Sequence, residues 1–356
     1  MKIGIIGCGK ISNAYLECAP LFPALDVVHC ADLIPERALT QARAFGIPRA
    51  GSVEGLLADP EVELVINLTI PAAHTETNRA ILNAGKHVFC EKPFALNRTD
   101  AAALLELAQS KNLRLGSAPD TFLGEAHQTC RKLIDSGVIG EVVAATAFMA
   151  SHGPESWHPA PEFFYQPGGG PMFDMGPYYL TALVNMLGPM ARVSGVTRAS
   201  IKERIAPSGP AAGTRIPVST PTHLTGTIEF AAGAIATVIM SFDIWAHHLP
   251  LLQIHGTKGS LTLPDPNLTC GTPMLYTPAT NTWEDVPLSY PTIYGDKYGR
   301  GAGVAEMAVA IRAARPHRAS GALALHVVDA MQAFQDSSEQ ARTVDLTTHC
   351  QRPEPV

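Results

Sequence analysis

The sequence has no long apolar run and no concentrated charge. Across 356 residues no hydrophobic stretch approaches the ~18 residues of a membrane span. Lysine and arginine number 26 against 32 acidic residues, a formal net charge of −6, and no basic block occurs. Nothing therefore points to nucleic acid or to an anionic membrane surface. The opening residues lack the apolar core of a signal peptide, because Gly4, Gly7 and Gly9 interrupt them; a cytoplasmic location is expected. The seven cysteines (Cys8, Cys18, Cys30, Cys90, Cys130, Cys270, Cys350) are odd in number, scattered singly, and form no C-x-x-C. Reduced buried thiols are expected rather than a disulfide framework. Thirteen histidines include no H-x-x-x-H pair, only the adjacent His247 and His248, so no metal site is expected.

What is present is a globular composition, 46% hydrophobic and 16% charged, on a chain long enough for two domains. Up to about residue 118, short apolar strands alternate with helical stretches. KIGIIG, LDVVHCAD (25–32), ELVINLT (63–69), HVFCE (87–91) and LRLGS (113–117) read as strands. TDAAALLELAQ reads as a helix that Thr99 could cap, with Ala101, Leu104, Leu105 and Ala108 at i, i+3, i+4, i+7. This alternation predicts a parallel sheet covered on both faces, which binds ligands at the carboxyl ends of its strands.

Gly7-Cys8-Gly9-Lys10-Ile11-Ser12 follows the first strand. Gly7 permits a tight turn, and Gly9 lets a pyrophosphate approach backbone N–H groups at a helix N-terminus. Ser12 stands where the third glycine of G-x-G-x-x-G would be. Asp32 ends the second strand, placed to hold adenosine ribose hydroxyls and to repel a 2′-phosphate. Leu33 offers no cation there, so NAD is favoured over NADP, although Arg37 lies one helical turn further on.

Two further stretches carry candidate chemistry. In HVFCEKPFALN, Glu91 and Lys92 fall at the carboxyl end of a strand, either toward a cofactor or as a surface ion pair, and Pro93 could follow a cis bond. In GGGPMFDMGPYYLTALVNMLG (168–188), Asp174 and Tyr178 are four residues apart and would share a helix face. Pro177 would either kink that helix or restart it.

Taken together, GCGKIS, Asp32, NLTIPAAH, EKP and GGG-x-x-x-D-x-G resemble the Gfo/Idh/MocA oxidoreductases, NAD(P)-dependent dehydrogenases of sugars and polyols. GTKGSLTL, GVAEMAVAI and LALHVVDAMQAF extend the resemblance almost to the C-terminus. It implies that Gly7, Gly9, Lys10 and Ile11 line the pyrophosphate, with Ser12 beside them. Thr69, Pro71 and His74 would lie along the nicotinamide half, and Glu91 and Lys92 would flank the reacting carbon. Asp174 matches the family's aspartate. The family's acid/base histidine, four residues beyond, is replaced by Tyr178. A tyrosine, with pKa ~10, is a poor base unless a cation such as Lys92 favours its phenolate; as an acid it needs no help. Lys92, Asp174 and Tyr178 are therefore the expected catalytic set.

His152 and His158, in a Pro- and aromatic-rich loop, are alternative acid/base groups. Trp157, His158, Tyr165 and Asp120 are candidate substrate contacts, Trp157 by stacking on a sugar ring. Residues 1–119 are expected to form the dinucleotide-binding Rossmann domain. Residues 120–356 are expected to form an α+β substrate-binding and oligomerisation domain with an open, mostly antiparallel sheet. Its strands would be 141–150, 191–199, 222–230, 234–242 and 250–256, after a helix over 122–136. Residues 203–221 and 264–300 read as loops, with Tyr290, Tyr294, Tyr298 and Arg300 at the end of the second, and TVDL as an edge strand. The resemblance implies a homo-oligomer, dimer or tetramer, built on the open sheet face. The expected reaction is NAD-dependent hydride transfer at a hydroxyl or keto carbon of a sugar, sugar derivative or polyol. The alternatives are a glycosidase or lyase that retains its NAD and works through transient oxidation, and a non-catalytic NAD- or sugar-sensing protein.

Overall fold

The structure is a computed structural model that describes residues 1–295 and 298–356. The first part alternates strand and helix: β1 (Lys2–Ile6), α1 (Lys10–Cys18), β2 (Asp26–Ala31), α2 (Pro35–Phe45), β3 (Arg49–Gly51) and α3 (Val53–Ala58). It continues with β4 (Leu64–Asn67), α4 (His74–Asn83), β5 (His87–Cys90), α5 (Arg98–Ser110) and β6 (Leu115–Ser117). The six strands form one parallel sheet, ordered β3-β2-β1-β4-β5-β6. Chain order reverses at β1, so the crevice beyond the carboxyl ends of β1 and β4 is the switch point where such sheets take ligands. Ile3, Ile5, Leu64, Val65, Val88 and Phe89 are fully buried, as a sheet covered on both faces requires. The edge strand β3 was not expected; its three residues, Arg-Ala-Gly, carry no apolar pattern. In α5, Ala101, Leu104 and Ala108 are buried as the periodicity predicts, but the cap is Asn97, whose side chain accepts from the Asp100 N–H, rather than Thr99.

The second part contains α6 (Glu125–Asp135), β7 (Val142–Ala150), α7 (Gly170–Asp174), α8 (Gly176–Leu187), β8 (Met190–Arg198), β9 (Glu203–Ile205) and β10 (Arg215–Pro217). It then adds β11 (His223–Phe230), β12 (Ile235–Ser241), β13 (Leu252–Gly256), β14 (Ser260–Leu263), β15 (Met274–Tyr276) and β16 (Trp283–Asp285). α9 (Ala302–Arg312), α10 (Gly321–Gln340) and β17 (Val344–Asp345) complete the chain. Nine strands make one sheet, ordered β16-β15-β14-β13-β7-β12-β11-β8-β17. All its pairings are antiparallel except β7 with β12. β11 and β12 form the expected hairpin, with Leu224, Ile228 and Phe230 buried on one side. TVDL does return as an edge strand, β17 beside β8.

The two stretches read as loops are partly ordered into ribbons. β9 and β10 pair within 203–221, and β15 and β16 extend the large sheet from within 264–300. Residues 296 and 297 of that second stretch lie outside the described residues. Proline-rich composition hid strands only three residues long. α10 packs against β8 and α8 and also against α5 and β6, so it ties the two sheets together. All seven cysteines are free thiols, five of them buried. Among the described residues no helix is long and apolar enough to cross a membrane, and no group of three or more His, Cys, Asp or Glu is arranged to hold a metal ion.

Candidate active site

The turn between β1 and α1 uses its glycines for two different reasons. Gly7 has φ +100°, and a Cβ there would stand 2.6 Å from the Leu68 carbonyl carbon, so the backbone after β4 fills the space a side chain would need. At Gly9 a Cβ would meet nothing within 4 Å. Gly9 caps α1 through backbone alone, and the first turn holds no acidic side chain. The Ser12 N–H closes on the Gly9 carbonyl (3.1 Å), which leaves the N–H groups of Gly9, Lys10 and Ile11 at the positive end of the helix, a cradle suited to a diphosphate. Ser12 is fully buried and bonds Gly9 O (2.6 Å) and the Gln41 amide (2.6 Å). It joins α1 to α2 and does not point into the cradle.

Asp32 follows β2 with its carboxylate held by two backbone donors, Cys8 N–H (2.8 Å) and Ile34 N–H (2.9 Å). Each oxygen retains a lone pair for a ribose hydroxyl. Leu33 beside it is 93% exposed and brings no charge. Arg37 is exposed on α2 and borders a shallow hollow with Cys8, Glu36, Thr40 and Gln41.

The cradle opens into a cavity of about 360 Å³. One wall descends from the parallel sheet through Ile11, Thr69, Pro71, Glu91, Lys92 and Pro93; the opposite wall comes from the second part of the chain. Glu91 and Lys92 do not pair with each other. The Glu91 carboxylate takes the Tyr15 hydroxyl (2.9 Å) and the Lys92 backbone N–H (2.8 Å). The Lys92–Pro93 peptide is cis. Lys92 Nζ crosses to the other wall and donates to Asp174 Oδ1 (2.8 Å) and to the Asp174 carbonyl (2.7 Å). An ammonium has three donors, so one remains. Burial works against its charge, but the Asp174 carboxylate and the nearby Tyr178 outweigh it, and the Lys92 pKa is raised above its ordinary value. Lys92 is therefore a fixed cation.

His74 lies behind this wall rather than on it. Fully buried, its two ring nitrogens face the carbonyls of Pro93 (2.7 Å) and Thr69 (3.0 Å), and the neutral ring, with one N–H to donate, packs between the two cavity loops. Burial lowers its pKa.

Asp174 and Tyr178 sit on two helices, not one. α7 ends at Asp174, α8 begins at Gly176, and Pro177 occupies the first turn of α8, where a missing N–H costs nothing. Tyr178 thus points its hydroxyl from a helix start into the cavity. Its partner there is not Lys92, whose Nζ lies 5.2 Å over the ring, but Arg300, whose Nη2 donates to the hydroxyl at 3.2 Å. Arg300 is almost fully buried; it also bonds Asn267 Oδ1 (2.7 Å) and the Tyr298 hydroxyl (2.5 Å). Burial raises the Tyr178 pKa above 10, with Lys92 and Arg300 pulling against it. The phenol is thus protonated at neutral pH.

The remaining candidates separate clearly. Trp157 lines the cavity at its mouth, 62% exposed. His158 stands behind the aromatic wall, packed edge-on against Trp157, Phe163 and Phe164, with Nδ1 accepting from Ala160 N–H. His152 stacks on Trp245, away from the cavity lining. Tyr165 is fully buried, and its hydroxyl goes to Glu155. Asp120 turns from the cavity to the N-terminus of α9, accepting from Gly301 N–H (3.1 Å) and Gly303 N–H (2.8 Å). Its position after a parallel strand suggested a ligand role, but the nearest unsatisfied donors belong to the chain itself. Conversely, Arg300 and Asn267 were not among the candidates. The cluster of Tyr298 and Arg300 at the end of the long loop was the only trace of their approach.

Comparison with known proteins places the chain in a family and a shared fold. A family model described as an oxidoreductase family with an NAD-binding Rossmann fold matches residues 1–118, and one described as a GFO/IDH/MocA C-terminal domain matches residues 127–262. The chain is 27% identical over 286 residues to a levoglucosan dehydrogenase of Pseudarthrobacter phenanthrenivorans, covering 73% of each chain. It is 29% identical over 265 residues to a 1,5-anhydro-D-fructose reductase of Ensifer adhaerens, covering 72% of this chain and 74% of that one. With other curated relatives the match spans about half of their length. A solved levoglucosan dehydrogenase in complex with NADH and levoglucosan superposes with a TM-score of 0.83 at 22% identity, over 98% of this chain and all of that one.

Proposed function

The chain belongs to the Gfo/Idh/MocA family of NAD-binding oxidoreductases, and from that premise we propose that it oxidises or reduces a ring or chain carbon of a sugar, sugar derivative or polyol. When bound, NAD supplies the hydride acceptor or donor. In this reading the N–H groups of Gly9, Lys10 and Ile11 hold the diphosphate, Gly7 makes the turn with its own N–H on the Ala31 carbonyl (2.9 Å), and the Asp32 carboxylate holds the adenosine ribose. Asp32 and the uncharged Leu33 favour NAD over NADP. Thr69, Pro71 and Glu91 border the ring of the cofactor, and His74 stiffens the loops that carry them.

Proton handling falls to Tyr178. In reduction its hydroxyl gives a proton to the oxygen forming at the carbonyl carbon. In oxidation the Tyr178 phenol first loses its proton to solvent, and the phenolate takes the proton of the substrate hydroxyl, with Arg300 and Lys92 opposing the penalty of the buried anion. The free third N–H of Lys92 donates to the same substrate oxygen as negative charge develops there, and Asp174 holds the ammonium in place. Because burial keeps the phenol protonated, the site is readier for reduction at neutral pH and for oxidation in alkali.

The observation that carries this reading is the meeting of Lys92, Asp174 and Tyr178 around one cavity that opens onto the Gly9 cradle. The test is incubation of the purified protein with NAD and a panel of sugars and polyols, and with NADH and keto sugars, following NADH absorbance. Cofactor-dependent turnover is expected; silence across both panels contradicts the reading. Residues 1–119 would act as the cofactor-binding unit and residues 120–356 as the substrate-binding unit. Val196 (66% exposed) and Ile235 (49% exposed) lie on the open face of the large sheet, which supports a homo-oligomer formed through that face.

A further inference from the structure

The two walls of the cavity differ in what they offer a substrate. Hydrogen-bonding groups concentrate at the reacting end: Lys92, Asp174, Tyr178 and the Asn267 carboxamide. Away from that end, the wall contributed by the second part of the chain is Trp157, Phe163, Phe164 and Phe173, with Met175 and two glycines between. Trp157, Phe163 and Phe164 form a continuous aromatic surface, with Phe173 lining the cavity beside them. Phe163 and Phe164 lie 4.0 Å apart between centroids, and Phe164 meets Trp157 at 6.5 Å. His158 is wedged behind, 5.0 Å from Phe164 and 5.4 Å from both Trp157 and Phe163. Trp157 and Phe163 remain 62% and 45% exposed at the mouth.

A free hexose carries hydroxyls around its whole rim, and each one desolvated without a partner is costly. This wall would leave the hydroxyls remote from the reacting carbon without partners. A flat apolar substituent, in contrast, gains both burial and ring–ring contact there. We propose that the substrate is a ring alcohol bearing an aromatic or similarly flat apolar substituent, such as an aryl glycoside. Its hydroxylated ring faces Lys92 and Tyr178, and its substituent lies along Trp157 and Phe163. This rests on the oxidoreductase reading above for which end of the ligand reacts.

The test uses the full chain and matched glycosides: phenyl and methyl β-D-glucopyranosides, β-D-galactopyranosides and β-D-xylopyranosides. NADH is titrated first by calorimetry, and each glycoside is then titrated into the NADH-saturated protein. In at least one pair the phenyl glycoside is expected to bind roughly tenfold or more tightly than its methyl partner. Trp157→Ala and Phe163→Ala should each remove most of that ratio; because both side chains are exposed, the variants should fold. Phenyl and methyl partners that bind alike in every pair, or fail to bind at all, overturn the assignment. Failure of NADH to bind in the first titration removes the oxidoreductase reading instead. The phenyl-to-methyl ratio measured on the protein alone then still decides the substrate class.

Discussion

The cavity wall that descends from the parallel sheet and the wall that faces it differ in what keeps them rigid. The first is held by backbone regularity. Its residues follow strand ends, and Asp32, His74 and Gly7 lock the intervening loops through main-chain contacts. The second is made of irregular chain pinned by buried charge. Arg204 on β9 donates to the His152 carbonyl (2.8 Å), Glu155 (2.7 Å), the Phe242 carbonyl (2.7 Å) and Asp243. That bonding anchors the loop carrying Trp157 and the phenylalanines. A general ligand such as a dinucleotide suits a wall defined by main chain, whereas a particular substrate needs side chains set by one local network. The groups we propose as catalytic sit at the junction: Lys92 comes from the first wall and bonds Asp174 of the second.

Variants can test this division, beginning with the junction. Lys92→Ala should lower kcat by ~10³-fold, since it removes the cation at the developing charge, while calorimetry finds NADH affinity unchanged. Tyr178→Phe should lower kcat by ~10²-fold; a variant near wild type would remove the proton-transfer role from Tyr178. Arg300→Gln removes a cation that favours the phenolate. The oxidation rate should fall about tenfold near neutral pH, and its rising limb should move to higher pH because the phenol now loses its proton less readily. Reduction at neutral pH, which uses the protonated phenol, should change less. In the first wall, Gly9→Ala should weaken NADH binding about tenfold with little change in thermal stability, because the new methyl meets solvent-side space rather than protein. In the second, Tyr165→Phe should leave kcat within about twofold and lower stability by about 1 kcal/mol, the worth of its bond to Glu155, as read by urea unfolding.

The same contrast explains what could be read from the sequence. The parallel sheet, the Gly7–Gly9 turn, Asp32 and Lys92 were legible because strand–helix alternation and a short motif place them without reference to distant chain. Asp174 and Tyr178 were found together, although the break at Met175 puts them on separate helices. Arg300 and Asn267 could not be placed from spacing alone: Arg300 reaches Tyr178, and Asn267 reaches Arg300, both from more than eighty residues downstream of Tyr178 through irregular chain. Asp120 and Tyr165 were misplaced for the converse reason. Both have polar groups near the expected site, yet each is satisfied by a partner within the protein, Gly303 N–H and Glu155 respectively. Sequence position cannot reveal which donors a fold leaves over.

The most direct measurement is a crystal structure of the chain with NADH and a phenyl glycoside bound. The account predicts the diphosphate at the start of α1 and the nicotinamide against Thr69 and Pro71. It also predicts one ring hydroxyl within hydrogen-bond distance of both Lys92 Nζ and the Tyr178 hydroxyl. A dinucleotide bound elsewhere, or a glycoside whose nearest hydroxyl touches neither group, would contradict it.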